Sequence, residues 1–298
     1  MILLLLAELS ELHGSFSDAW RLRFARASQA DAPSLFSGLN ESEWPLVEAT
    51  YRLDHGELAS SDLVWLRLDP ASVVPDMNGV VMLGFGHMLN IADAERVSLL
   101  ASLQSVLDEH GMVLHWPLPD RAYLGVPSSR ALTSFTPAWD VLGEDLLEHF
   151  PGGETRDEAS RSWRSVINDL QIALHDHPVN EARRRRGAHA INLMWPWRSS
   201  SAASVPKLNS RSMLMSPNDE LKAMWDWADG DAMMRTDAAA ASLDTDVLID
   251  LRDVTRCASL ERDWLDPSFE ATKGKLNVQF GGTVFQIRPT DRFKFWIK

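Results

Sequence analysis

The 298-residue chain has a single cysteine, Cys257. That excludes an intrachain disulfide and a thiolate-rich zinc site, and it fits a cytoplasmic protein. Positive charge is also short: 29 Lys/Arg stand against 42 Asp/Glu, for a net charge of −13. Such a chain lacks the basic footprint of a general nucleic-acid or anionic-membrane binder. Long hydrophobic runs are missing. The apolar run at 2–6 is too short to cross a bilayer, has no basic segment before it and meets Glu8 at once, so it reads as a buried first strand. Standard catalytic signatures are absent too. Gly84-Phe85-Gly86-His87 lacks the glycine spacing and the lysine of a phosphate loop, and there is neither a Gly-x-Ser-x-Gly elbow nor a His-Glu-x-x-His helix. No internal repeat is found.

What is present is an ordinary globular composition, 45% hydrophobic and 24% charged, with an unusual 12 tryptophans. Most of these should be buried, each with one N–H to satisfy. Charge is uneven. Residues 217–270 hold 14 Asp/Glu and 5 Lys/Arg, while 181–186 hold four arginines and one glutamate. The basic cluster has two uses open to it, gripping an anion or pairing with acidic groups of the same chain.

Hydrophobic periodicity predicts helices near 17–27, capped by Ser17 or Asp18, and at 92–109, with Asp93 as cap and Val97, Leu100, Leu103 and Leu107 inward. Strands are predicted at 63–68, ending at Asp69-Pro70, and at 80–83, 112–116, 122–126 and 247–251. Pro75–Gly79 is a turn, and Asp54-His55 lies in another. Ser216 caps a helix begun by Pro217, with Leu221, Met224, Trp225 and Ala228 inward and Gly230 at its end. Residues 275–280 and 283–288 flank Gly281-Gly282 as a two-residue hairpin, with Val278 opposite Phe285 and Leu276 opposite Ile287. A one-residue slip would scramble the two faces, so pattern and turn support one register. The expected fold is α/β, a mixed sheet flanked by helices with a C-terminal lobe ending in a β-hairpin. Residues 1–198 make the main domain, 199–212 a Ser/Ala-rich loop and 213–298 the lobe, which can be continuous with the main domain.

The stretch 171–198 concentrates reactive side chains. Trp163, Val166, Ile167, Leu170 and Leu174 recur at helical spacing, so 158–175 is a helix. Pro178 disfavours helical geometry at His177 and can open a second short helix, which Gly187 ends. Ile191–Trp195 then reads as a strand stopped by Pro196. This places His175, Asp176 and His177 at a helix–helix corner, with Asn180 and Arg183 a turn further on. Such a corner has three uses: an oxyanion or partner site, a metal site, or plain structure. In the first, Arg183 and its neighbours supply charge, Asn180 and Asn192 directional hydrogen bonds, and Trp195 and Trp197 an apolar wall. Asp145 and His149, four residues apart, would share a helix face.

The run Trp163–Trp197, "WRSVINDLQIALHDHPVNEARRRRGAHAINLMWPW", resembles bacterial proteins of the regulator-of-pathogenicity-factors E type. Gln171, His175, His177, Pro178, Asn180, Arg183, Gly187, Asn192, Trp195 and Trp197 match that family's pattern. The resemblance extends to "WLRLDPASVVPDMNG" (65–79), "GEDLLEHFPGG" (143–153), "SPNDELKAMW" (216–225), "DLRDV" (250–254), "DWLDP" (263–267) and "DRFKFW" (291–296). There are two departures. Asp169 stands where the pattern often has Glu, and Arg198-Ser199-Ser200 replaces a glycine-rich turn. Members are often labelled cofactor-independent phosphoglycerate mutases. The resemblance implies a regulatory protein that binds a small anionic ligand or a protein partner at the corner. The alternative it implies is a metal-dependent, mutase-like phosphotransferase using His175, Asp176 and His177. Only that alternative calls for a divalent metal, beside a serine or threonine nucleophile and several Asp and His ligands. No such array is visible in the sequence.

Overall fold

The structure is a computed structural model that describes residues 2–32, 35, 46–56, 62–77, 79–151, 157–199, 207–208, 213–233 and 246–294. The chain divides into two units, one of residues 1–50 with 203–298 and one of residues 51–202. The elements in order are β1 (Ile2–Leu6), α1 (Asp18–Arg26), β2 (Ser28–Asp31), α2 (Leu46–His55), β3 (Leu63–Asp76), β4 (Gly79–Phe85), α3 (Asp93–Glu109), β5 (Val113–Leu118) and β6 (Arg121–Pro127). They continue with α4 (Ala138–Val141), α5 (Glu158–His175), α6 (Pro178–Arg185), β7 (Leu193–Ser199), β8 (Met213–Met215), α7 (Asp219–Trp227) and β9 (Ala232–Met233). The last are β10 (Val247–Leu251), α8 (Cys257–Leu260), α9 (Asp266–Ala271), β11 (Leu276–Phe280) and β12 (Thr283–Ile287).

The first unit is built on a mixed sheet in the order β2-β12-β11-β1-β10-β8-β9. β1 runs parallel to both β10 and β11, and β10 runs parallel to β8. The run at 2–6 is therefore a central strand flanked on both edges, which is why it is almost wholly apolar. This is also where the structure departs from the expected division. β1 and α1 pack with the C-terminal segment, because the parallel partners of β1 lie some 245–275 residues downstream, and local pattern carries no signal for so distant a pairing. The hairpin β11–β12 has the expected register, Leu276 opposite Ile287 and Val278 opposite Phe285. Ser17 caps α1, and Trp20 packs with Phe24 and Phe269 beneath the sheet.

The second unit holds an antiparallel sheet, β4-β3-β6-β5, with β7 on the other edge of β3. Its helices α3 and α5 bury Leu99, Leu103 and Leu107 against Trp163, Val166, Leu170 and Leu174. Several local expectations shift. β3 does not stop at Asp69-Pro70 but runs to Asp76. Pro70 falls between the ladders to β6 and β4 on one edge, where a missing N–H is best tolerated. β7 begins at Leu193 and passes through Pro196, since its described pairing is to β3 alone. Asp93 is the first residue of α3 rather than its cap, and the Ala92 N–H donates to the Glu95 side chain. The buried stripe of α3 includes Leu99, whereas Val97 is exposed. Asn218, not Ser216, caps α7. Asn78 of the predicted turn, most of the 199–212 loop and the end of the 291–296 motif lie outside the described residues.

Candidate functional site

The corner forms where the sequence places it. α5 ends at His175, His177 caps α6 and Pro178 opens it. The side chains then diverge. His175 and Asp176 lie in solvent, at 82% and 93% exposure, 3.8 Å from each other. His177 turns inward, its Nδ1 accepting the Val179 N–H and its Nε2 3.1 Å from the Ser102 hydroxyl. That pairing places the neutral proton on Nε2, and burial lowers the His177 pKa. Asn180 donates to the carbonyls of Leu174 and Ile191 and accepts the Ile191 N–H. Arg183 is fully buried; it donates to the carbonyls of His189 and Leu89 and pairs with Glu95 at 2.7 Å. Arg186 joins the same carboxylate, and Arg185 lies 4.0 Å from Glu181. Asn192 bridges both backbone groups of Val73. Trp195 and Trp197 are fully buried, their indole N–H groups donated to the Thr136 carbonyl and to Asp69. Asn180 and Arg183 share one buried face with His177, but their hydrogen-bonding capacity is spent on protein. Asn192, Trp195 and Trp197 join β7 to its surroundings.

A second polar cluster escaped sequence reasoning. Asp54 and His55 close α2 rather than forming a turn. The Asp54 carboxylate accepts two bonds from Arg121, at 2.8 and 2.6 Å, and one from the Tyr123 hydroxyl. Arg67 pairs with Asp69 at 2.8 Å and lies over the Trp197 ring. Tyr51 Oη sits 2.7 Å from His115 Nδ1, and the rings of His55 and His115 are 5.0 Å apart. Burial, then the neighbouring His55, lowers the His115 pKa. Arg67, Tyr123 and Arg121 alternate along strands, so their identity was legible but their cross-strand neighbours were not. Asp145 and His149 share no α-helix: Asp145 caps a single 3-10 turn and accepts the Val80 N–H.

The third cluster lies at the carboxyl edge of the parallel strands in the first unit. β8 leads through α7 to β9 on one side, whereas β10 leads through α8 and α9 to β11 on the other. Adjacent strands whose chains leave in opposite directions open a crevice at their carboxyl ends, the usual place for a ligand in such sheets. Ser216 directly follows β8 and donates its hydroxyl to Asp250 at 2.9 Å. The Ser216 Oγ accepts the Asn218 N–H in return. Arg252 grips Asp250 through Nε and Nη2 at 2.9 and 3.0 Å. Burial works to raise the Asp250 pKa, but the bonds from Arg252 and Ser216 outweigh it and hold the carboxyl below its usual range. Asp250 is thus an anion at neutral pH, holding a hydroxyl and a guanidinium. Ser216 and Asp250 are buried, and the Arg252 side chain is 37% exposed. Among the described residues no three His, Cys, Asp or Glu side chains converge as a metal centre requires. The described donors therefore do not fit a two-metal phosphotransferase site.

Fold and site define a class: a mixed α/β protein with a parallel-strand edge carrying a hydroxyl–carboxylate–guanidinium group. No family model matches the chain. It is similar to a probable 2,3-bisphosphoglycerate-independent phosphoglycerate mutase of Geobacter sulfurreducens, 24% identical over 157 residues, which cover 52% of this chain. It is also similar to a 2,3-bisphosphoglycerate-independent phosphoglycerate mutase of Methanosarcina barkeri, 36% identical over 72 residues, or 24% of this chain. The matched parts make up only 37% and 17% of those two proteins. Among solved structures, the cofactor-independent phosphoglycerate mutase of Thermoplasma acidophilum aligns with 97% of this chain and 89% of its own, at 14% identity and a TM-score of 0.43. These relatives are named as mutases; the regulator type rests on the sequence resemblance alone. No helix among the described residues is long and apolar enough to cross a membrane.

Proposed function

We propose that this chain is a phosphoglycerate-mutase-like protein that binds a small phosphorylated acid at the carboxyl edge of its parallel strands. The observation that carries this reading is the Ser216–Asp250–Arg252 contact. It joins two segments 34 residues apart at the switch point of the sheet. Partial similarity to mutases supplies the substrate class. The chemistry follows from the charges. Asp250 stays ionised and orients the Ser216 hydroxyl, while Arg252 offers the exposed positive group that a phosphate or carboxylate would meet. A hydroxyl donated to a carboxylate is polarised toward nucleophilic attack. Ser216 is shielded from solvent in this conformation, so the geometry supports binding more directly than phosphoryl transfer. The described donors assemble no metal centre. We assign the corner at 175–197 a scaffold role, supported by the internal hydrogen bonds of Asn180, Arg183 and Asn192.

The test is calorimetric titration with 3-phosphoglycerate, with and without manganese, beside phosphorus NMR of its conversion to 2-phosphoglycerate. Saturable binding that weakens about tenfold or more in Arg252→Ala is expected, one charge-assisted contact being worth that much. No binding under either condition, or equal binding by the variant, overturns the proposal.

A further inference from the structure

The first unit carries a cavity at the opposite end of its parallel strands. It has a volume of about 600 Å³ and lies among the C-terminal half of α1, the end of α9, the turn before β11 and the segment after β12. These all sit at the amino ends of the parallel strands, away from Ser216 and Asp250. Its charged lining is Arg23, Arg26, Lys273 and Arg288 against Glu270 and Asp291. That leaves two positive charges in excess, on a chain whose net charge is −13. The Asp291 carboxylate accepts the Arg288 backbone N–H and pairs with Lys294 at 2.9 Å.

The rest of the lining is apolar, with Leu22, Phe269, Ile287 and Pro289. Gly274 keeps the wall open between two of them. A Cβ there would come within 3.3 Å of both the Phe269 ring and Pro289, and its φ of +82° favours glycine in any case. Arg23 is held as part of the wall by stacking over Trp20 and Phe269, 4.8 and 4.6 Å from the ring centroids. Lys273 holds a left-handed backbone, φ +52°.

We infer that this cavity is a binding site for a small amphipathic anion, a phosphate or carboxylate head on an apolar body. The volume suits a ligand of that size. Inorganic phosphate would satisfy the cations but leave the apolar wall bare. A neutral hydrocarbon would make no use of the cationic part of the lining. The inference does not depend on the proposed function, since the two sites share no residue.

The test is titration of the full chain with 1-naphthyl phosphate, adenosine monophosphate and octanoate, with inorganic phosphate and 1-naphthol as controls. The first three separate a flat body from an aliphatic one and a phosphate head from a carboxylate. The variants are Lys273→Gly, which relieves the positive φ, and Arg288→Ala, whose side chain is exposed; circular dichroism confirms that both fold. At least one amphipathic anion should bind, with both controls weaker by about tenfold or more, and each variant should weaken it by a similar factor. Retained binding in Arg252→Ala separates this site from the proposed substrate edge. If no amphipathic anion binds, if phosphate alone binds as well, or if both variants bind as the wild type does, the site is not there.

Discussion

Arg183 shows how a residue of apparent function becomes a residue of structure. Its guanidinium has the planar fork that suits an anion, yet each of its three nitrogens already donates within the protein, to Glu95 or to the carbonyls of Leu89 and His189. Removing it leaves a half-buried carboxylate with Arg186 as its remaining arginine and strands two carbonyls. Arg183→Ala should cost about 3–5 kcal/mol in urea denaturation, the usual penalty for breaking a buried pair from one side. Titration with 3-phosphoglycerate should be unchanged. His177 makes a second prediction at this scale. Its folded pKa lies below the ordinary imidazole value, so the unfolded chain takes up the proton first. Its contribution is fully present above the ordinary imidazole value and is lost as the pH falls below it, toward the folded pKa. His177→Asn, which keeps a side-chain cap for Val179, should flatten the loss of stability in that acid window. His115 has a lowered pKa as well, so part of the slope should remain. An unchanged slope in the variant would remove His177 from the account.

At the scale of elements, the hairpin β11–β12 is set by its turn. Gly281 has φ +49°, and a side chain there would collide with the Glu8 carboxylate. Gly281→Ala should destabilise by about 1–2 kcal/mol. Adding Glu8→Ala should restore only part, because the collision goes and the backbone strain stays. Chemical denaturation of the single and double variants checks this. The hairpin was legible for the same reason: two glycines and a period of two dictate turn and register together. The α5–α6 corner was legible too, because Pro178 fixes where one helix stops and the next begins. The length of β3 was not. Asp69-Pro70 reads locally as a terminator, and only the gap between the ladders to β6 and β4 lets the strand continue. His175 ends α5 in solvent while His177, two residues on, caps α6 and turns inward, a difference no local pattern carries. Asp54 with Arg121, and Ser216 with Asp250, are pairings across 67 and 34 residues. No local pattern carries them, although the motifs at 216–225 and 250–254 had been marked by the resemblance.

For the whole molecule, charge and topology are the governing terms. A net charge of −13 repels itself in the compact state. Raising sodium chloride from low to near-physiological ionic strength should therefore raise the melting temperature, and a fall would show that specific ion pairs outweigh the repulsion. Topology gathers β1, β8, β10 and β11, drawn from both ends of the chain, into one sheet, and only that assembly brings Ser216 to Asp250. The most direct test is amide NMR of the labelled full chain titrated with 3-phosphoglycerate, in the wild type and in Asp250→Asn. The expected result is a set of shifts centred on Ser216–Leu221 and Asp250–Asp253, weakened in the variant. Shifts centred instead on His175–Arg183, or no shifts at all, would contradict the account.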